Sequence, residues 1–213
     1  MKKLLYIPVN TKPEPLSTSK TIGREFINRF MKQNTDYELI ELDICNENIP
    51  ELNYRYFKGR SELVTGPDYD ALSPEDKAAV DRINQLCDQF LSADLYVIAA
   101  PMWSVLFPAR LVTYIDCIVQ NHKVIEVTPE AVTGLLDDKE RKMVYIQSSG
   151  GKYPKLFSNR VNHGTNYLHD IFTFLGISQF EKLLVEGMDT PEVGKEKAMQ
   201  KAIEDMDSII SML

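Results

Sequence analysis

Hydrophobic positions along this chain follow two alternating periods. Leu4–Val9, Leu95–Ala100 and Lys142–Gln147 are short runs, nearly all apolar, of the kind found in strands covered on both faces. Lys182–Val185 is a shorter run of the same type, and Glu38–Asp43 alternates polar with apolar, which suits a strand near the side of a sheet. Between these runs the apolar residues recur at helical spacing. Ile22, Phe26, Ile27, Phe30 and Met31 form one such stripe, and Val80, Ile83, Leu86, Cys87, Phe90 and Leu91 form another. Further helices are predicted over about 109–119 and 167–175, and a last one from Pro191 with Ala198, Ala202, Ile203, Met206, Ile209 and Ile210 inward. Ser73-Pro74-Glu75-Asp76 supplies a cap, a proline at the first helical position and acids in the first turn.

Strand and helix thus alternate five times, with one interruption. That order predicts an α/β fold: a five-stranded parallel sheet of order 2-1-3-4-5 with helices on both faces. Residues 44–72 read as an irregular excursion, with Pro50, Gly59, Gly66 and Pro67 around Tyr54, Tyr56 and Phe57. A connection of that length is expected to be functional or interfacial. At 213 residues the whole chain, 1–213, is expected to be a single domain.

Charge narrows the partners. Lys and Arg total 24 against 31 Asp and Glu, a net −7, with no basic run, which argues against nucleic acid. No apolar stretch reaches the ~20 residues needed to cross a bilayer, and the Met1–Pro8 segment reads as a first strand rather than a leader. Cys45, Cys87 and Cys117 are odd in number and widely spaced, as expected of reduced thiols in the cytoplasm. His122, His163 and His169 have no metal-ligand spacing, so no metal site is expected.

Candidate chemistry lies in the loops after the first, third and fourth strands, which converge where the strand order reverses. Asn10 opens the first, which reaches Ser17, Thr18 and Ser19 at a helix start. Hydroxyls, free N–H groups and the positive dipole end suit a phosphate there, although capping alone also favours Ser and Thr. In the second loop Pro101 ends the strand, and Met102, Trp103 and Ser104 offer soft, flat and hydroxyl side chains for a planar ring. The third, Ser148-Ser149-Gly150-Gly151, lets backbone approach a ligand edge, and a tight turn would use the same residues. Neither G-x-G-x-x-G after the first strand nor a P-loop is present.

Taken in order, these stretches resemble the FMN-dependent NADH azoreductases, flavodoxin-like NAD(P)H:quinone oxidoreductases. The matching residues are Asn10-Thr11-Lys12-Pro13 with Ser17-Thr18-Ser19, Ala100-Pro101-Met102-Trp103-Ser104-Val105, Leu111 to Asp116, Ser148-Ser149-Gly150-Gly151, Phe174-Leu175-Gly176-Ile177 and Glu186-Gly187. The resemblance implies a flavodoxin-like three-layer sandwich that binds FMN through the three loops, with Val105 among the contacts. It implies NADH or NADPH as donor, a quinone or azo compound as acceptor, ping-pong turnover and no catalytic side chain beyond the flavin itself. Phe174 and Val127 would shape the partner subunit's substrate pocket in a homodimer. The chain departs from the family at Ser104 (an amide there), Val105 (a ring), Ser149 (an arginine) and Val127 (often an aromatic). Alternative readings are a flavodoxin-type electron carrier and a flavin-free binding or regulatory module.

One helix carries a physical argument for the dimer. Leu111, Val112, Tyr114, Ile115, Cys117, Ile118 and Val119 cover roughly 220° of its circumference at 3.6 residues per turn. Arg110, Thr113, Asp116 and Gln120 occupy the rest. A helix packed on one sheet needs little more than ~100°. The surplus must meet a second subunit or be covered by residues 44–72.

Overall fold

The computed structural model describes residues 1–153 and 162–213. Its strands are β1 (Lys2–Pro8), β2 (Tyr37–Glu41), β3 (Phe57–Gly59), β4 (Glu62–Leu63), β5 (Leu95–Pro101), β6 (Ile125–Val127), β7 (Val132–Gly134), β8 (Lys142–Ser148) and β9 (Gln179–Val185). The helices described are α1 (Thr18–Gln33), α2 (Pro67–Asp70), α3 (Pro74–Ser92), α4 (Ala109–Ile118), α5 (His163–Leu175) and α6 (Gly194–Ile210). The main sheet is parallel, in the order β2-β1-β5-β8-β9, which is the expected 2-1-3-4-5. β1 and β5 pair from Leu4↔Leu95 to Pro8↔Ala99, and both are almost wholly buried.

Helices cover both faces. Ile22, Phe26, Ile27 and Phe30 of α1 pack with Ala198, Ala202 and Met206 of α6 against Leu4, Tyr6, Val97 and Ile146. On the opposite face, α3, α4 and α5 enclose Leu5, Ile7, Tyr96, Ile98 and Tyr145. Ser73 caps α3, its hydroxyl accepting from the Asp76 N–H at 3.1 Å. Gly23 lets α1 lie close on the sheet, since an added Cβ would stand 2.5 Å from the Tyr6 hydroxyl and 2.9 Å from the Ala99 Cβ.

Several boundaries differ from the sequence expectation. Pro101 is the last residue of β5 rather than the first beyond it, paired with Ser148. A proline tolerates that place because the next residue, Met102, resumes the ladder by donating to Ser148 O at 2.8 Å. α5 begins four residues earlier, at His163, capped by Asn162, and α6 begins at Gly194 rather than Pro191. The 44–72 excursion is only partly irregular: it holds a 3-10 turn at Tyr54–Tyr56, the small β3/β4 hairpin and α2.

That excursion also settles the helix with the wide apolar arc. Ile44, Ile49, Tyr56, Leu63 and Val64 join the core that buries Leu111, Tyr114, Ile115, Cys117 and Ile118. Cys117 Sγ donates to Pro50 O at 3.2 Å, and Arg110 donates to Ile44 O and Glu47 O at 2.9 and 3.0 Å. Gln120, placed on the polar side by spacing, is buried, with its amide donating to Ile83 O and Cys117 O. Only Val112 and Val119 of the apolar arc stay half-exposed. The surplus surface of α4 is therefore met within the chain, and it gives no physical argument for a second subunit.

β6 and β7 form a second small hairpin, unseen in the sequence pattern, between α4 and β8. Gly134 seats it on α5: an added Cβ would lie 2.3 Å from the Phe174 carbonyl oxygen, and Leu136 donates to Leu175 O at 2.8 Å. Gly134→Ala is expected to lower the unfolding free energy by about 1–3 kcal/mol, the usual cost of overpacking. Urea unfolding of the variant beside the wild type measures it.

The outer edge of the sheet carries a charged brace. Arg24 of α1 donates to Glu41 of β2 at 2.7 Å and to Glu14, just before α1, at 3.1 Å. The Arg24 hydrogen bond holds the Glu41 carboxyl below its ordinary 4.5. A depressed carboxylate contributes stability above the unfolded value and loses it as pH falls through the folded one. Both partners are partly exposed, so Glu41→Gln is expected to cost under ~1 kcal/mol at pH 7. In urea melts that difference should shrink as pH drops below 4.5 and vanish in acid.

Candidate functional site

The three loops expected to carry chemistry leave the carboxyl ends of β1, β5 and β8, which are adjacent in the sheet. Short backbone bonds join them: Val9 donates to Ala99 O at 2.8 Å and Met102 to Ser148 O at 2.8 Å. Asn10, Thr11 and Trp103 line one pocket of about 270 Å³ together with Cys45, Pro108, Ala109 and Arg110. Its walls are mainly apolar.

At the first loop, Asn10 is the organiser. Its Nδ2 donates to Ser17 Oγ at 3.0 Å, and its Oδ1 accepts from the Lys12 N–H at 3.0 Å. Ser17 caps α1, accepting from the Lys20 N–H, and its hydroxyl lies 3.3 Å from that of Ser19. Ser17 and Ser19 are buried and bonded to one another, so only Thr18 keeps a partly exposed side chain. The three hydroxyls do not all face outward as the sequence suggested. The N–H groups of Thr18 and Ser19 stand at the first two helical positions, where no helix carbonyl can reach them. These donors and the dipole suit a phosphate. Behind them, the charge of Lys20, itself buried, is balanced by Asp43 at 2.9 Å.

The second loop makes a tight reversal. Trp103 and Leu106 exchange backbone hydrogen bonds, each 2.9 Å, with Ser104 and Val105 at the tip. The Trp103 ring is 50% exposed, so a large flat surface stands open to a ligand. Phe107 anchors the far side, buried and edge-on to Tyr167 at 5.7 Å.

At the third loop, Ser148 and Ser149 are buried, and the Ser149 hydroxyl donates to Gly151 O at 3.0 Å. The loop after β9 braces it: Ser149 donates to Val185 O, and Gly187, Met188 and Asp189 donate to Gly151 O, Ser149 O and Gly150 O. Gly150 lies against the Asp189 carboxylate, which an added Cβ would meet at 2.1 Å.

The structure adds residues that spacing alone did not single out. Gln147 sits fully buried at the end of β8, with Oε1 accepting from the Tyr145 hydroxyl at 3.3 Å and Nε2 lacking a partner among the described residues. A glutamine closing the run Met143–Ile146 was a legible signal for a buried donor near the ligand edge. Asp189 had no such signal. His163 is exposed, and Tyr167 is 38% exposed with its ring edge-on to Phe107. Phe174 is 49% exposed near the end of α5, and Val127 is half-buried on β6, across the hairpin from Val132. Neither lies in the loops of this chain's own site. Among the described residues no group of acidic, His and Cys side chains could hold a metal ion.

The residues present fit a phosphorylated planar ring: free N–H donors for the phosphate, an open indole for the ring, and Gly-Gly backbone for its polar edge. The chain is similar to several known proteins. The chain is 60% identical over 213 residues to the FMN-dependent NADH:quinone oxidoreductase 1 of Clostridium acetobutylicum, covering 100% of this chain and 96% of that one. It is 51% identical over 211 residues to the FMN-dependent NADH:quinone oxidoreductase of Clostridium botulinum (strain Alaska E43 / Type E3), covering 99% and 98%. The crystal structure of an azoreductase from Bacillus anthracis str. Sterne shares the fold with a TM-score of 0.84 at 24% identity, over 100% of both chains. An FMN-dependent NADH-azoreductase from Bacillus anthracis str. Ames Ancestor, solved in complex with FMN, gives 0.82 at 22% identity, over 99% of this chain and 100% of that one. A family profile described as a flavodoxin-like fold matches residues 2–210. The chain belongs to this flavodoxin-like family, in which its curated relatives are FMN-dependent NADH:quinone oxidoreductases.

Proposed function

We propose that this protein is an FMN-dependent oxidoreductase that takes two electrons from NADH and passes them to a quinone or azo compound. The observation that carries the reading is the junction of three loops at the β1/β5 reversal, with the free Thr18 and Ser19 N–H groups at one end and Trp103 at the other. The names of the relatives support the cofactor, the donor and the acceptor class. When bound, FMN supplies the redox chemistry, accepting a hydride and giving it up.

The chain's own work is binding and orientation. Thr18 and Ser19 donate backbone N–H groups to the phosphate, with the Asn10–Ser17 hydrogen bond keeping the helix start in place. Pro101 and Met102 set the floor of the ring site, and Trp103, Ser104 and Val105 set its wall. Ser148 through Gly151 present backbone to the polar edge of the ring, held by the loop after β9. No side chain is assigned as an acid or base. One site serving donor and acceptor in turn implies ping-pong kinetics.

The reading includes a homodimer. Tyr167, Ile171 and Phe174 recur at i, i+4 and i+7 on the outer side of α5, with Tyr167 38% and Phe174 49% exposed. Phe107, edge-on to Tyr167, links this strip to the loop that carries the exposed Trp103 and Val105. Apolar strips of this kind mark interfaces, and two-fold pairing is the commonest closed arrangement. Phe174 and Val127 then reach the partner's pocket. A reducing cytoplasm suits the three free thiols Cys45, Cys87 and Cys117.

Ser17→Asp places a carboxylate beside the phosphate position and should abolish the yellow colour of the purified protein. Retention of full flavin occupancy would place the phosphate elsewhere. Initial rates at varied NADH and quinone should give parallel double-reciprocal lines, and intersecting lines would rule out a shared site. Sedimentation at micromolar concentration should show a species of twice the 24.4 kDa chain mass, reduced to the single chain by Tyr167→Glu with Phe174→Glu. A wild type that sediments as a single chain would overturn the dimer.

A further inference from the structure

Hydrogen-bonding groups in the loop after β8 are out of balance. Its three carbonyls from Ser149 to Gly151 already accept: Ser149 O from Met188 at 3.3 Å, Gly150 O from Asp189 at 3.0 Å and Gly151 O from Gly187 at 2.9 Å. Gly151 O takes a second bond from the Ser149 hydroxyl. The N–H groups of Gly150 and Gly151, by contrast, find no acceptor among the described residues. This stretch of backbone is rich in donors and poor in acceptors. One acceptor stands beside it. The Asp189 carboxylate is exposed, and no described residue donates to it or pairs with its charge. Its Oδ2 lies 2.1 Å from where a Cβ on Gly150 would be. Neither Gly150 nor Gly151 has a positive φ, so glycine at 150 is required by the room the carboxylate takes rather than by the backbone angle. The loop carrying Asp189 is itself braced, with the Thr190 hydroxyl donating to Gly187 O and Gly194 to Thr190 O, each at 2.9 Å.

A fixed acceptor between two free donors matches a ligand edge that reads acceptor, donor, acceptor. The polar edge of a flavin ring has that order: a carbonyl, an N–H and a second carbonyl. We propose that Asp189 contacts the cofactor, its carboxylate accepting from that ring N–H while the Gly150 and Gly151 N–H groups donate to the flanking carbonyls. The inference rests on the flavin reading above and adds to it a side chain from the loop after β9. It also gives the side chain an electrostatic role. Two-electron reduction adds negative charge to the same edge of the ring, so a carboxylate there favours the oxidised cofactor. Covering by the ring takes the carboxylate out of water, where its field on the flavin is stronger.

FMN, and FMN methylated at that ring nitrogen, can each be titrated into flavin-free protein and followed by flavin fluorescence. Wild type should prefer FMN by about tenfold or more, the usual scale for a hydrogen bond to a charged group. Asp189→Leu keeps the bulk and removes the acceptor, so the preference should largely disappear. Asp189→Asn still offers an amide oxygen and should keep part of it. An undiminished preference in Asp189→Leu would overturn the assignment, because the methyl would then be acting by its size alone. The Tyr153 hydroxyl also stands over Gly151, 3.3 Å from an added Cβ. Loss of the preference in Tyr153→Phe but not in Asp189→Leu would give the bond to the phenol and overturn it equally. The charge has its own readout. Asp189→Asn should raise the two-electron midpoint potential of the bound flavin, by about 30 mV for a tenfold loss of preference for the oxidised form. An unchanged or lowered potential would overturn the electrostatic role. All these failures leave the flavin reading intact, whereas a wild-type protein that takes up no FMN would overturn that reading and this assignment with it.

Discussion

Pairing of β1 with β5 is the constraint on which the rest of the molecule depends. Both strands are buried on both faces, and their parallel register fixes the carboxyl ends of two chain segments some ninety residues apart side by side. From β1 the chain crosses through α1 to β2 on one side, and from β5 it crosses through α4 to β8 on the other. The connections diverge, and the gap they leave between them is where a ligand can enter. Everything at the site follows: the helix start at Ser17, the open indole of Trp103 and the Gly-Gly loop are each one crossover's first residues.

The loops are held by bonds to neighbouring backbone rather than by contact with a ligand. Asn10 ties its own loop to the α1 cap, Ser148 accepts from Met102, and the segment after β9 donates three N–H groups into the loop after β8. Such prior ordering lowers the entropy lost when a cofactor binds. The exception is the Ser104–Val105 tip, where two successive residues have positive φ.

The sheet was legible because its strands are long and apolar enough to leave no other reading, from Leu4 to Val9 and from Leu95 to Ala100. The α3 cap was legible for a chemical reason, since Ser73-Pro74 with two following acids matches the unsatisfied N–H groups of a helix start. The hairpins at Phe57–Leu63 and Ile125–Gly134 were not, because two- and three-residue strands show no period. Gln120 was assigned to the polar side of α4, yet carbonyls of Ile83 and Cys117 pay for its burial. At the candidate site, residue types pointed to three loops that the fold brings side by side, while orientation stayed hidden. Ser17 and Ser19 turn their hydroxyls inward, and nothing in a Ser-Val pair announces two left-handed residues.

Closure of the α4 face by residues 44–72 separates folding from assembly. The larger of the two cores is completed by one chain, down to the Cys117–Pro50 hydrogen bond. In the proposed dimer each subunit would bring a finished interior to its partner, so association would not have to rescue an unstable monomer. What such pairing would add is a second wall for the ring site, and its strength could drift in evolution without endangering the fold. Dilution would cost such a protein its complete pockets well before it cost the chain its shape.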